Sequence, residues 1–146
     1  MTPAAGFVLR LGGLFLVASV VGWGVDTALR SIRRRRWAPI RPVPFSPLYG
    51  LASLGLWAMP APVAHAGWVV QFLVFAVAIC TFEYAAGRAI AAVRGARMWD
   101  YTDRYLHLHG HTDLFHFFLW GALGVAAYRW ALPPLAMSLG LSGHVQ

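Results

Sequence analysis

Two carboxylates interrupt long apolar runs in this chain, Asp26 and Glu83. An ionised acid at the centre of a membrane helix costs about 2.5–3.5 kcal/mol, and less toward the interface. Both acids sit toward one end of their runs. Asp26 and Arg30 are four residues apart, so they share a helical face and can pair, and Arg33 extends that face by a turn. Glu83 has Gly87 at the same spacing and needs a partner from elsewhere, with Arg30, Arg33 or an arginine of the second basic loop expected. Two uses fit such acids. One is an ion, substrate or partner site; the other is an interhelical salt bridge that fixes a bundle.

Trp99-Asp100-Tyr101-Thr102-Asp103-Arg104-Tyr105 alternates aromatic and acidic residues beside an apolar run. It suits a docking surface, an interfacial hairpin or a simple Trp/Tyr anchor. His107, His109, His111 and His116, with Asp113, supply imidazole and carboxylate, the ligand types of zinc or nickel. In an extended segment the first three would point to one side. The spacing matches no standard zinc signature, and Gly110 predicts a turn that breaks the common face. His65 and His116 have the chemistry of axial ligands to a haem or pigment. No phosphate-cradling loop, G-x-S-x-G elbow or H-E-x-x-H is present, so neither an enzyme nor a bound cofactor is expected.

The elements that must position these residues follow from composition. Of 146 residues, 59% are hydrophobic and 12% charged, against roughly 25% charged in a soluble domain. That is too little polar surface for a soluble protein of this size. The net charge of +7 comes from twelve arginines and no lysine, set against five acids. The arginines cluster beside apolar runs, the pattern of cytoplasmic membrane loops rather than of a nucleic-acid-binding face. Cys80 is the only cysteine, which excludes an internal disulfide framework. Met1 to Phe7 lacks a basic leader, so the first apolar run is expected to be retained as a helix.

Four apolar segments lie at about residues 4–29, 46–62, 67–90 and 114–132, each compared with the ~20 residues that cross a bilayer. The second is short and bounded by Pro44, Pro47, Pro60 and Pro62; it either spans or is re-entrant. The expected fold is all-α: a multi-pass, four-transmembrane-helix bundle forming a single integral membrane domain over residues 1–146. Leu135 to Gln146 reads as a tail. Arg30, Arg33, Arg34, Arg35, Arg36 and Arg41 fill the first loop, and Arg94, Arg97 and Arg104 the third. With no arginine from Ala61 to Ala66, both termini are placed outside. Trp37, Trp99 and Trp120 then fall near the inner interface, and Trp57, Trp68 and Trp130 near the outer one. Each half reads as a long helix, a basic loop and a return helix, which hints at an internal duplication.

The ordered set Gly22-Trp23 with Asp26 and Arg30, Ser46-Pro47-Leu48-Tyr49-Gly50, Glu83-Tyr84 with Gly87, Gly95 with Arg97, Trp99-Asp100-Tyr101, Gly110 and Trp120-Gly121 resembles the CmpB-like family. These are small bacterial membrane proteins labelled as ABC-transporter type IV permeases. Asp26 stands where the family usually has glutamate, and Ala91 and Ala92 where a second glutamate is expected. The resemblance implies a non-catalytic, permease-like subunit of the bacterial cytoplasmic membrane. Asp26, Glu83, Asp100, Trp99 and Tyr101 would form its polar core, with Arg30 and Arg97 as counter-charges. Its partners would be the lipid bilayer, other membrane subunits and an ATP-binding subunit on a separate chain. A second reading is an accessory subunit docked through Gly12-Gly13, Gly121, Gly124 and Ala126-Ala127. A third is metal or pigment binding through the histidines.

Overall fold

The computed structural model describes residues 2–39 and 42–141; Arg41 of the first basic loop and the end of the tail lie outside them. Every regular element among the described residues is helical, and no strand forms. The chain divides into two compact units, residues 1–58 with 131–146 and residues 59–130.

The first unit is built on α1, Pro3–Arg34. Thr2 caps it by accepting from the Ala5 N–H at 3.3 Å, and Pro3 fits a first turn that has no use for its missing donor. At the far end Arg35 turns left-handed with φ 50° and closes the helix through its N–H. α2, Pro47–Trp57, returns along α1, so that Tyr49 meets Gly22 and Asp26, Gly50 meets Phe15 and Ser19, and Trp57 meets Phe7. The glycines allow this approach. A Cβ on Gly50 would lie 2.7 Å from the Phe15 carbonyl oxygen, and one on Gly22 would overlap the Tyr49 ring.

The second unit holds α3, Ala61–Ala64, then α4, Trp68–Arg94, and α5, Leu114–Ala126. Gly95, at φ 67°, ends α4 in a conformation that glycine adopts without strain. Asp113 caps α5 by accepting from the His116 N–H at 2.8 Å. α4 and α5 pack antiparallel, with Gly121 against Phe72 and Gly124 against Phe75, which is fully buried. The expected segment at 114–132 does not run as one α-helix. A π-helical turn occupies Ala127–Ala131, one turn before Pro133 and Pro134, whose missing N–H groups leave earlier carbonyls without α-type partners.

The predicted tail is also partly ordered. α6, Leu132–Ser138, carries its prolines in the first turn, Leu139 packs over Gly13, and Arg10 Nη1 donates to the Gly140 carbonyl at 2.6 Å. These contacts belong to the first unit.

α1 and α4 are long and apolar enough to cross a membrane. At 1.5 Å per residue they reach about 48 Å and about 40 Å, against a hydrocarbon core of about 30 Å. Only 17% and 22% of their most apolar windows are buried, whereas a soluble protein would bury such helices. α2 stops at Trp57, before Pro60, and reaches only about 16 Å.

Candidate functional site

The site in the second unit centres on Glu83, fifteen residues from Trp68 and eleven from Arg94. It therefore lies close to the middle of α4, deeper than the apolar run suggested, because the helix continues through Arg88 to Arg94. Glu83 is 8% exposed. Trp120 Nε1 of α5 donates to its Oε2 at 3.0 Å, and the Tyr101 hydroxyl donates to its Oε1 at 3.3 Å. Among the described residues no arginine pairs with it, which corrects the expected counter-charge. Neutral N–H and O–H donors satisfy the carboxylate instead.

Tyr101 is delivered by the loop between α4 and α5. Trp99 Nε1 donates to the His111 carbonyl at 2.8 Å, and the Tyr101 N–H donates to the Gly110 carbonyl at 2.9 Å. Asp100 accepts from Thr102 N–H at 3.0 Å and pairs with Arg97 at 2.9 Å. Those hydrogen bonds from Thr102, together with Arg97, hold the Asp100 carboxyl below its usual range. The three residues of Trp-Asp-Tyr thus have separate tasks: one pins the loop, one caps its turn, one reaches Glu83. Asp100 and Arg97 are both substantially exposed, at 52% and 39%, so they brace the loop rather than join the buried polar core. Gly110, at φ 73°, leaves no space for a Cβ, which would lie 2.8 Å from Arg97 Nη1, Asp100 Oδ1 and Thr102 Cγ2.

The Glu-Tyr-x-x-Gly element meets this loop from α4. Tyr84 shares a 3.0 Å hydrogen bond with His109 Nδ1, and Gly87 leaves the gap into which His111 inserts. His111 is buried, and burial, followed by the fields of Arg97 and Arg88, pushes its pKa down. Beside Glu83, His116 Nδ1 lies 2.9 Å from Asp113 Oδ2, and its ring stacks on Tyr101 with centroids 4.1 Å apart. Glu83 with Tyr101, and His116 with Asp113, are two hydrogen-bonded pairs between the middle of α4 and the N-terminus of α5, joined by the stacking of Tyr101 on His116. The Glu83 carboxylate can hold a proton or receive a cation.

The family model described as "Putative ABC-transporter type IV" matches residues 13–144. The chain belongs to this family. No curated protein and no solved structure matches it. Family members of this name are ABC-transporter-related membrane components, and the surface-exposed apolar helices α1 and α4 agree with a membrane location.

In this ABC-transporter type IV protein the histidines do not share a face. The segment closes as a tight turn bridged by Leu108 and Thr112, with Leu106 and His109 left-handed. His107 accepts from the Gly110 N–H at 3.2 Å, His109 faces Tyr84, His111 is buried over Gly87, and His116 turns to Asp113. Among the described residues no three metal-ligating side chains converge. His65 is exposed after α3, and His116 is held through Nδ1 by Asp113 while its ring stacks on Tyr101.

Asp26 and Arg30 lie on α1 in the first unit, both half-buried. Asp26 accepts from the Tyr49 hydroxyl at 2.7 Å. Sequence reasoning took Asp113 and His116 only as metal candidates, and it missed that Tyr101 and Trp120 donate to Glu83, over chain separations of 18 and 37 residues that carry no local signal. It also placed all polar groups at one end of the apolar runs. α4 in fact buries Gln71 near its opposite end, hydrogen-bonded to Arg129.

Proposed function

We propose that this protein is a permease-like, non-catalytic subunit of a bacterial cytoplasmic-membrane transport system. In this reading the chain is one integral membrane domain with four passes. Both termini lie outside and the arginine loops inside, where the positive-inside rule puts them. α1 and α4 are the long passes, α5 returns by running on through the π-helical turn, and α2, at about 16 Å, completes its pass only with the chain that follows Trp57.

The observation that carries the reading is Glu83, buried in the middle of an apolar helix and held by hydroxyl and indole donors, with no arginine paired to it among the described residues. A carboxylate kept only to fix a bundle is best matched by an arginine. One held by neutral donors can still exchange a proton or a cation, the role intramembrane acids most often play. Asp26 with Tyr49 would be the corresponding acid of the first unit, with Arg30 on its face. Energy would come from an ATP-binding subunit on another chain.

The accessory-subunit reading loses support. Gly121, Gly124 and Gly13 are occupied by Phe72, Phe75 and Leu139 within their own units, and of the glycines that reading needs, only Gly12 has open space. The test is affinity purification from native membranes in mild detergent, with identification of bound chains. A nucleotide-binding subunit is expected; a stable complex without one would replace the transport reading by the accessory one.

A further inference from the structure

Away from Glu83, the second unit holds a cation that makes no ion pair among the described residues. Arg129 lies in the π-helical turn, and its Nε donates to Gln71 Oε1 at 2.7 Å. Its Nη2 reaches the Ala66 carbonyl at 3.4 Å. Gln71 is 1% exposed, and its amide nitrogen is spent on the Val63 and Ala64 carbonyls, at 3.0 and 3.1 Å. The side chain is hydrogen-bonded at both ends, which fixes its orientation. What it does is hold one edge of a guanidinium.

A guanidinium has five N–H donors, and two are engaged here. The other three have no acceptor among the described residues and face the surface, where Arg129 is exposed. Ala66 and Gln71 flank the first turn of α4, whose N-cap, Gly67, makes no side-chain cap, so the positive end of a 27-residue helix adds to the cationic field. The unit's nearest acid along α4 is Glu83, twelve residues and about 18 Å from Gln71. Trp68 and Trp130, 66% and 70% exposed, adjoin the site in sequence, and indoles of this kind settle at headgroup depth.

We infer that Arg129, oriented by Gln71, is a binding site for a phosphate-bearing anion at the end of α4 opposite the Arg94 end. A fixed planar fork with donors to spare suits phosphate oxygens better than a mobile ammonium does. Two sources carry that chemistry at a membrane surface, a lipid headgroup and free phosphate. The site is independent of the transport reading, because it contains none of the Glu83 network.

The full chain in dodecyl maltoside is titrated with dioleoylphosphatidylglycerol, and bound lipid is counted by native mass spectrometry. In parallel, inorganic phosphate is added and the shift of the thermal midpoint recorded. Arg129→Gln should weaken the responding ligand about tenfold, the loss of a charge-assisted pair. Gln71→Leu, which keeps the cation but frees it, should weaken it several-fold; the variant's own midpoint should fall because the Val63 and Ala64 carbonyls lose their donor, so binding is compared well below both midpoints. Arg94→Gln should leave it unchanged. A response to the lipid alone assigns a headgroup; a response to phosphate assigns a solute. Should Arg129→Gln fail to fold, Arg129→Lys replaces it, with a several-fold loss expected because the fork is gone. Equal binding by the wild type and the Arg129 variant in both titrations overturns the proposal.

Discussion

Trp120 Nε1 points at Glu83 Oε2 across 3.0 Å, joining the middle of α5 to the middle of α4. The indole brings a donor into apolar surroundings on a mostly apolar ring, so it solvates the acid without importing a second charge. Tyr101 does the same from the loop. These two hydrogen bonds to Glu83 thus come from one helix residue and one loop residue, and each can be removed separately.

Removing the acid should expose this dependence. Glu83→Ala deletes the hydrogen bonds that Trp120 and Tyr101 donate to it, each a net contribution of about 0.5–1.5 kcal/mol. We expect a lower thermal midpoint in detergent. Glu83→Gln keeps an acceptor oxygen but not the charge, so it should fold yet lose transport by the assembled system. A fully stable and fully active Glu83→Gln protein would contradict the assignment.

Gly87 and Gly12 should respond in opposite directions to one added methyl. A Cβ on Gly87 would lie 2.7 Å from His111 Nδ1 and 3.1 Å from Trp99 Cζ2. Gly87→Ala should therefore lever the loop from α4 and cost about 1–3 kcal/mol, as overpacking does. Gly12 has nothing within 4 Å, so Gly12→Ala should stabilise α1 by about 0.5–1 kcal/mol through reduced backbone freedom. Paired thermal melts decide between them.

The loop should loosen in mild acid. His111 has its pKa lowered from 6.5 by burial, so the folded loop binds fewer protons than the unfolded chain. Its stabilising share is full above about 6.5 and is lost as pH falls from there through the lower folded value. The protection of the Trp99 indole N–H, which donates to the His111 carbonyl, should fall relative to its intrinsic exchange rate as pH drops below about 6.5. In His111→Phe that fall should disappear.

Tyr49→Phe removes the hydroxyl that donates to Asp26 at 2.7 Å while keeping the ring packed on Gly22. A hydrogen bond to a charged group contributes about 1.5–3 kcal/mol, and the loss should appear as a lower midpoint with unchanged helix content by circular dichroism. An unchanged midpoint would mean that Asp26 is held chiefly by other groups.

The sequence by itself determined the parts that depend on neighbours a few residues away. Apolar run length gives α1 and α4, the prolines bound the short second segment, and Glu83 and Asp26 stand out because they interrupt apolar runs. Trp-Asp-Tyr and Glu-Tyr-x-x-Gly were legible as motifs and carried the family resemblance, but their tasks were not. Whether Glu83 meets an arginine or an indole depends on how α5 lies along α4, over separations of 18 and 37 residues. The histidines looked like a ligand set because an extended strand would align them, and a turn with left-handed Leu106 and His109 disperses them instead. Gln71 and Arg129, 58 residues apart, meet only because Gly121 and Gly124 let the two helices close. Local hydrogen bonding and hydrophobicity are written in short windows, whereas the partner of a buried polar group is chosen by packing, which only the tertiary structure decides.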